Sequence, residues 1–277
     1  MVFGGALYNR SFGVNHQPII LSLNQRHLLK KKKTDMLGKG PCIVSGINGE
    51  ELSVTVTPDW LKGEKTYKTV AVEGNIGCGK TTFLQYFRSR PRVHILPEPV
   101  EKWKSLNGFN CFDMMYKDTN RWCSAFQSYV AFTMLQLHEE EEKHGRIKMI
   151  ERSVYSARKC FVENLYQKGL MSDLDYTILQ KWHEWLSKNA NIGVDLIVYL
   201  KASPETCYNR IKKRNRSEEC DISLDYLKDL HRLHENWLIH KKCGPLPAPV
   251  LTIDVDCPLS DVTRKIEQHA PAILFEN

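Results

Sequence analysis

A chain of 277 residues with 42% apolar content can bury a substantial core, and no segment has the uninterrupted apolar length of a membrane span. The formal charge of +7 is concentrated: Arg10, Arg26 and Lys30 to Lys33 put +6 into the first 34 residues, which hold no Asp or Glu, leaving +1 for the rest. That balance argues against a broadly basic nucleic-acid surface on the folded body, without excluding a local phosphate site.

Residues 1–66 carry Gly, Ser and Asn breaks and no sustained period, and read as a variable, flexible extension. Its acid-free first half partly resembles a mitochondrial targeting segment, while four consecutive lysines equally suit a nuclear signal or a solvated cytoplasmic tail. A short strand is expected at Ser53–Thr57, limited by Pro58.

From residue 67 the pattern changes. Short runs rich in Val, Ile and Leu at 68–73, 93–96, 147–151, 195–200 and 250–254 alternate with helical patterns, as buried parallel strands with crossover helices would. The first run leads into Gly74-Asn75-Ile76-Gly77-Cys78-Gly79-Lys80-Thr81, which fits G-x-x-x-x-G-K-[ST] at every fixed position, with an amphipathic helix expected from Thr82. Backbone N–H groups at such a turn surround phosphate oxygens, Lys80 reaches the outer phosphates, and the Thr81 hydroxyl is a magnesium ligand. After the second run, Pro97 and Pro99 bracket Glu98, and Pro99 is placed to start a helix. Further helices are expected over 120–143, 155–167 and 175–188, and another from Ser203-Pro204-Glu205. The charge run Lys212-Lys213-Arg214-Asn215-Arg216 follows that last helix, where it suits a lid over phosphates near 212–221. Another helical stretch follows the lid. The nine cysteines are scattered, with no C-x-x-C pair, so free thiols are expected rather than disulfides or zinc.

A phosphate loop alone leaves kinase, GTPase, ATPase and motor open. Glu98 and Glu151 follow strands, which puts both at the carboxyl edge of the sheet, where α/β proteins place their ligand crevice. One carboxylate would take a hydroxyl proton while the other supports magnesium. Lys80, Arg152, Arg214 and Arg216 are the cations available for phosphoryl charge. Trp103, Phe126 and Phe161 are candidate apolar walls for a base, with Gln127 able to pair a donor and an acceptor on its edge.

The ordered set Val72-Glu73-Gly74-Asn75-Ile76, Pro97-Glu98-Pro99-Val100, Lys102-Trp103, Met115-Tyr116, Arg121-Trp122, Phe126-Gln127-Ser128-Tyr129-Val130, Glu151-Arg152-Ser153, Ser156-Ala157-Arg158, Phe161-Val162-Glu163-Asn164 and Arg216-Ser217-Glu218-Glu219 resembles the deoxyribonucleoside kinase family over about residues 68–270. The nearer likeness is to its mitochondrial thymidine and insect broad-specificity branches. The resemblance implies a three-layer α/β nucleoside-kinase fold with a five-stranded parallel sheet, in a domain spanning 67–277. It implies an ATP-dependent kinase acting on the deoxyribose 5′-hydroxyl, with thymidine and deoxycytidine preferred. Glu98 becomes the general base, Arg152 lies near the reacting oxygen, and Thr81 and Glu151 assist Mg2+. Lys80, Arg214 and Arg216 stabilise the transferring group, and the loop from Gly74 to Thr82 holds ATP. Gln127 reads the base between Trp103, Phe126 and Phe161, while Tyr116 and Glu219 hold the 3′-hydroxyl. Met115, Val130, Met134, Ala157 and Arg158 complete the pocket, Met134 and Ala157 being the thymidine-type pair. Cys78 departs from the small or hydroxyl residue more usual in the family's loop. A homodimer with a helical interface is implied, with no direct nucleic-acid or membrane partner. A nucleoside-monophosphate kinase such as thymidylate kinase, or a nonenzymatic P-loop regulator, are the competing readings.

Overall fold

The computed structural model describes residues 66–142, 145–216, 219 and 222–276, together with the backbone of 42–45 and 51–54. The chain divides into two units, residues 1–62 and 63–277. In the first, β1 (Cys42–Ser45) pairs antiparallel with β2 (Glu51–Val54). The strand expected at Ser53–Thr57 overlaps β2 only at Ser53 and Val54; its remainder, and most of the extension expected to be flexible, lie outside the described residues.

The second unit opens with β3 (Lys68–Glu73), whose alternate residues serve opposite faces of a sheet. Val70 and Val72 pack with Phe83, Leu84 and Phe87 of α1 (Lys80–Phe87), whereas Ala71 faces the other layer. β4 (Val93–Leu96) follows, then α2 (Val100–Lys104), with Pro99 at its N-cap as expected. Next come α3 (Cys111–Lys117) and the long α4 (Thr119–Glu139), capped by Asp118, whose side chain accepts from Arg121 N. β5 (Ile147–Glu151) is buried along its whole length.

After β5 the chain makes a single turn, α5 (Val154–Ser156), a π-helical stretch over Ala157–Val162, and α6 (Glu163–Gln167). α7 (Asp173–Asn189) leads to β6 (Leu196–Lys201). α8 (Pro204–Arg214) starts as the Ser-Pro-Glu signal predicts: Pro204 sits in the first turn and Ser203 Oγ accepts from Thr206 N at 3.2 Å. α9 (Leu224–His234) runs on into a π-helical segment, Glu235–Ile239, before β7 (Val250–Asp254) and α10 (Leu259–Ile273) close the unit.

The sheet order is β4-β5-β3-β6-β7, and every pairing is parallel. Each strand therefore points its carboxyl end to the same edge, and the order reverses around β3. Helices cover both faces. Ile266 and Ile273 of α10 join α1 on one side; Met134 and Leu137 of α4, Leu230 of α9 and Trp237 fill the other. Fully burying one such side chain stabilises by roughly 1.5–3 kcal/mol, so both layers hold the edge firmly in place. All seven cysteines with described side chains are free thiols.

Candidate active site

The turn after β3 shows what the glycines are for. Gly77 has φ 79, and a Cβ there would lie 2.7 Å from the Cys207 carbonyl oxygen, so the loop presses directly onto α8. Gly79, with φ 107, is the N-cap of α1; a Cβ there would meet no protein atom within 4 Å, leaving the backbone open on the side where a helix N-terminus attracts anions. Asn75 and Cys78 are buried: Asn75 Nδ2 donates to Leu227 O at 2.8 Å and Arg210 Nη1 to Cys78 O at 3.0 Å. Lys80 is curled onto its own loop, its Nζ donating to Asn75 O at 2.9 Å and Gly74 O at 3.3 Å. The Thr81 hydroxyl donates to Glu151 Oε1 at 3.0 Å. This pairs a hydroxyl and a carboxylate oxygen at the phosphate end, a donor set of hard oxygens that fits Mg2+. Thr82 is exposed and does not line the cavity.

Glu98 comes from the end of β4, and Arg152 from the end of β5. Arg152 Nε lies 3.0 Å from Glu98 Oε1, and Nη1 donates to Gly74 O at 3.0 Å. The guanidinium also lies over the Phe161 ring at 4.7 Å. Burial opposes the charge on Arg152, but Glu98 and then Glu73 outweigh it and hold the group more firmly protonated. Burial pushes the Glu98 carboxyl above its ordinary range, against the pull of Arg152 and Lys80.

Phosphate loop, acid–arginine pair and aromatic helices line one cavity of about 850 Å³. At its far end Trp103 and Phe126 meet edge to face with ring centroids 5.7 Å apart, and Trp103 Nε1 donates to Thr133 Oγ1 at 2.9 Å. Phe161, Met115, Tyr116, Val130, Met134 and Ala157 share these walls. Gln127 is 4% exposed, and its Oε1 has no hydrogen-bond partner among the described residues. A buried amide oxygen left open at an apolar cavity wall is a strong acceptor for a ligand N–H.

Glu219 also lines the cavity, but here it is engaged by Arg214 and Arg216. Arg214 Nε donates to Glu219 Oε2 at 3.1 Å, Arg214 Nη2 contacts the same oxygen, and Arg216 Nη1 lies 3.6 Å from Oε1. Residues 217–218 and 220–221 of the expected lid are outside the described residues. Arg158 is directed elsewhere. It pairs with Glu163 at 3.2 Å, lies over the Tyr176 ring at 4.5 Å, and does not line the main cavity. The helix there turns with π rather than α period, so Ala157 and Phe161 reach the cavity while Arg158 pairs five residues onward.

Phe112 and Glu73 are among the residues at the site that had no assigned role from sequence. Phe112 lines the cavity and packs on Trp103, Phe126 and Tyr116; its helix is too short to show a period. Glu73, quoted only as part of a motif, is a fully buried carboxyl that accepts from Ser153 Oγ.

The geometry agrees with comparisons against known proteins. Residues 70–273 match a family model described as deoxynucleoside kinase. Human mitochondrial thymidine kinase 2 is 44% identical over 217 residues, covering 78% of this chain and 82% of the relative. The Macaca fascicularis protein of the same name is 42% identical over 231 residues, 83% and 87% of the two chains. Mouse deoxycytidine kinase is 35% identical over 237 residues, covering 75% of this chain and 91% of the relative.

Proposed function

The chain belongs to the deoxynucleoside kinase family and is an ATP-dependent deoxynucleoside kinase, and from that premise we propose that thymidine and deoxycytidine are its preferred acceptors, with Glu98 as the base that activates the 5′-hydroxyl. The observation that carries this reading is the Glu98–Arg152 pair at 3.0 Å, seated between the phosphate loop and the aromatic end of one continuous cavity.

In this reading the nucleoside lies between Trp103, Phe112, Phe126 and Phe161, and the open Oε1 of Gln127 accepts from the pyrimidine edge. Met134 and Val130 keep that end apolar, which suits the thymine methyl. The 5′-hydroxyl then lies toward Glu98, whose proton affinity is raised by burial, as suits a general base. Lys80 exchanges its loop carbonyls for phosphate oxygens of ATP, and Arg152, Arg214 and Arg216 meet the charge that develops on the transferring group. Thr81 and Glu151 hold Mg2+, which when bound offsets phosphate charge. Tyr116 and Glu219 hold the 3′-hydroxyl, Glu219 sharing its carboxylate with the lid arginines. Fixing both reactants in one cavity supplies much of the rate by orientation alone.

The protein is proposed to work as a homodimer. Phe132 on α4 and Trp182 and Trp185 on α7 are each more than half exposed, an aromatic face that a second copy would cover. The acid-free start of the chain, together with the mitochondrial naming of the human and macaque relatives, supports import into mitochondria.

Transfer from γ-labelled ATP to the four deoxynucleosides in parallel, with thymidine monophosphate as a control acceptor, tests the assignment. Preferential labelling of thymidine and deoxycytidine supports it; labelling of the monophosphate alone, or of purine nucleosides first, contradicts it.

A further inference from the structure

Two short segments at the carboxyl edge of the sheet interlock. Arg152 N donates to Val72 O at 3.0 Å, and Arg152 Nη1 donates to Gly74 O at 3.0 Å. Glu73 is the residue between those two carbonyls. Its own side chain is gripped in return by the residue after Arg152, since Ser153 Oγ donates to Glu73 Oε1. Ser153 is itself fixed, because it caps α5 in a reciprocal box with Ser156. The clamp holds Arg152 at φ 64, a left-handed conformation costing on the order of 1–3 kcal/mol in a residue with a side chain.

Glu73 brings more than shape. It is 0% exposed, and its second oxygen, Oε2, has no hydrogen-bond partner among the described residues. The charged and titratable groups around it are Arg152 and Lys80, with the Cys160 thiol of the π-helical stretch nearby and the Ser153 and Ser156 hydroxyls against it. A carboxylate kept in such a place, where an apolar side chain or an amide would be less costly to bury, needs a reason.

We propose that Glu73 is a positioning residue for phosphoryl transfer: its buried negative charge, locked by Ser153, holds the Arg152 guanidinium in line with Glu98 and the phosphate loop. The inference rests on the proposed place of Arg152 at the reacting oxygens. Burial lifts the Glu73 carboxyl to about 7, against Ser153 and Arg152, so above neutrality the group is mostly the anion that this role requires.

The test is a cycle of four proteins, the parent, Glu73→Gln, Arg152→Ala and the double variant. Gln keeps an oxygen that can accept from Ser153, removes the charge, and replaces the unpartnered Oε2 with an NH2 group. At pH 8, Glu73→Gln should lower kcat about 10- to 100-fold while thymidine KM stays within about threefold, and on the Arg152→Ala background it should change kcat less than about twofold. A kcat within twofold of the parent, or an equal fall on both backgrounds, overturns the inference. An Arg152→Ala protein with parental kcat overturns the Arg152 assignment, and this inference with it; a crippled Arg152→Ala beside a normal Glu73→Gln overturns this inference alone. Melting at pH 8 gives a readout independent of activity. Arg152→Ala strands a buried anion, so the double variant should melt above it, and a double variant melting no higher contradicts the pairing. If Glu73→Gln does not fold, Glu73→Asp retains the charge but withdraws it by one methylene. It should then show a kcat fall of about three- to tenfold at unchanged KM, and parental kcat would count against the role.

Discussion

The Thr81 hydroxyl and the Glu151 carboxylate meet at 3.0 Å, tying the first turn of α1 to the end of β5. The register puts Val72 opposite Glu151, so the strand that launches the phosphate loop also fixes where the acid sits. If these two oxygens hold Mg2+, Thr81→Ala should raise the magnesium concentration for half-maximal rate by about tenfold or more, with thymidine KM little changed. A magnesium titration under saturating ATP checks this, and an unmoved curve counts against the assignment.

In the proposed reading, base choice is set at the cavity wall formed by Met134, 1% exposed, and Ala157, 8% exposed. Placing charge at both sites together, as Met134→Arg with Ala157→Asp, gives each new group a partner and offers hydrogen bonds to a purine edge. Relative kcat/KM should fall for thymidine and rise for deoxyadenosine and deoxyguanosine. Unchanged ratios across the four nucleosides would remove these two positions from the specificity account.

Glu73 makes a prediction about stability as well as rate. Its carboxyl is raised from 4.5 to about 7 by burial, so folding favours its protonated form. The stabilisation is complete below about pH 4.5 and lost as pH rises through about 7, a span of about 3 kcal/mol. Glu73→Gln has no such titration. Denaturant unfolding of the two proteins should therefore show the variant gaining on the parent between pH 5 and pH 8, and a constant difference across that range would contradict the burial argument.

The five strands of the large sheet were legible to within one residue because short segments rich in Val, Ile and Leu, set between helical patterns, offer few alternatives to a strand of a parallel sheet. The phosphate loop was legible for a different reason, since its glycines answer to sterics that no other residue satisfies. Helix ends were less so. The helix after the loop begins at Lys80 rather than Thr82, and the long helix ends at Glu139 rather than near 143. The π-helical turn at Ala157–Val162 could not be read from a 3.6-residue period, and it is what carries Arg158 away from the main cavity. Glu73 was hidden because a charged residue closing a strand ordinarily reaches solvent, and only the fold reveals the layer that covers it. The pairing of Glu219 with Arg214 and Arg216 likewise depends on where the end of α8 comes to rest.

In the proposed mechanism Glu98 takes the proton from the 5′-hydroxyl, and Glu98→Gln measures that step most directly. The amide keeps the size of the side chain and loses its basicity. Thymidine binding, read by fluorescence or calorimetry, should stay within about threefold of the parent, while kcat falls on the order of 10²- to 10⁴-fold. The parent's acidic limb in the pH–rate profile should lie above the ordinary glutamate range and be absent from the residual rate. A folded Glu98→Gln enzyme that turns over thymidine at close to the parental rate would contradict the account.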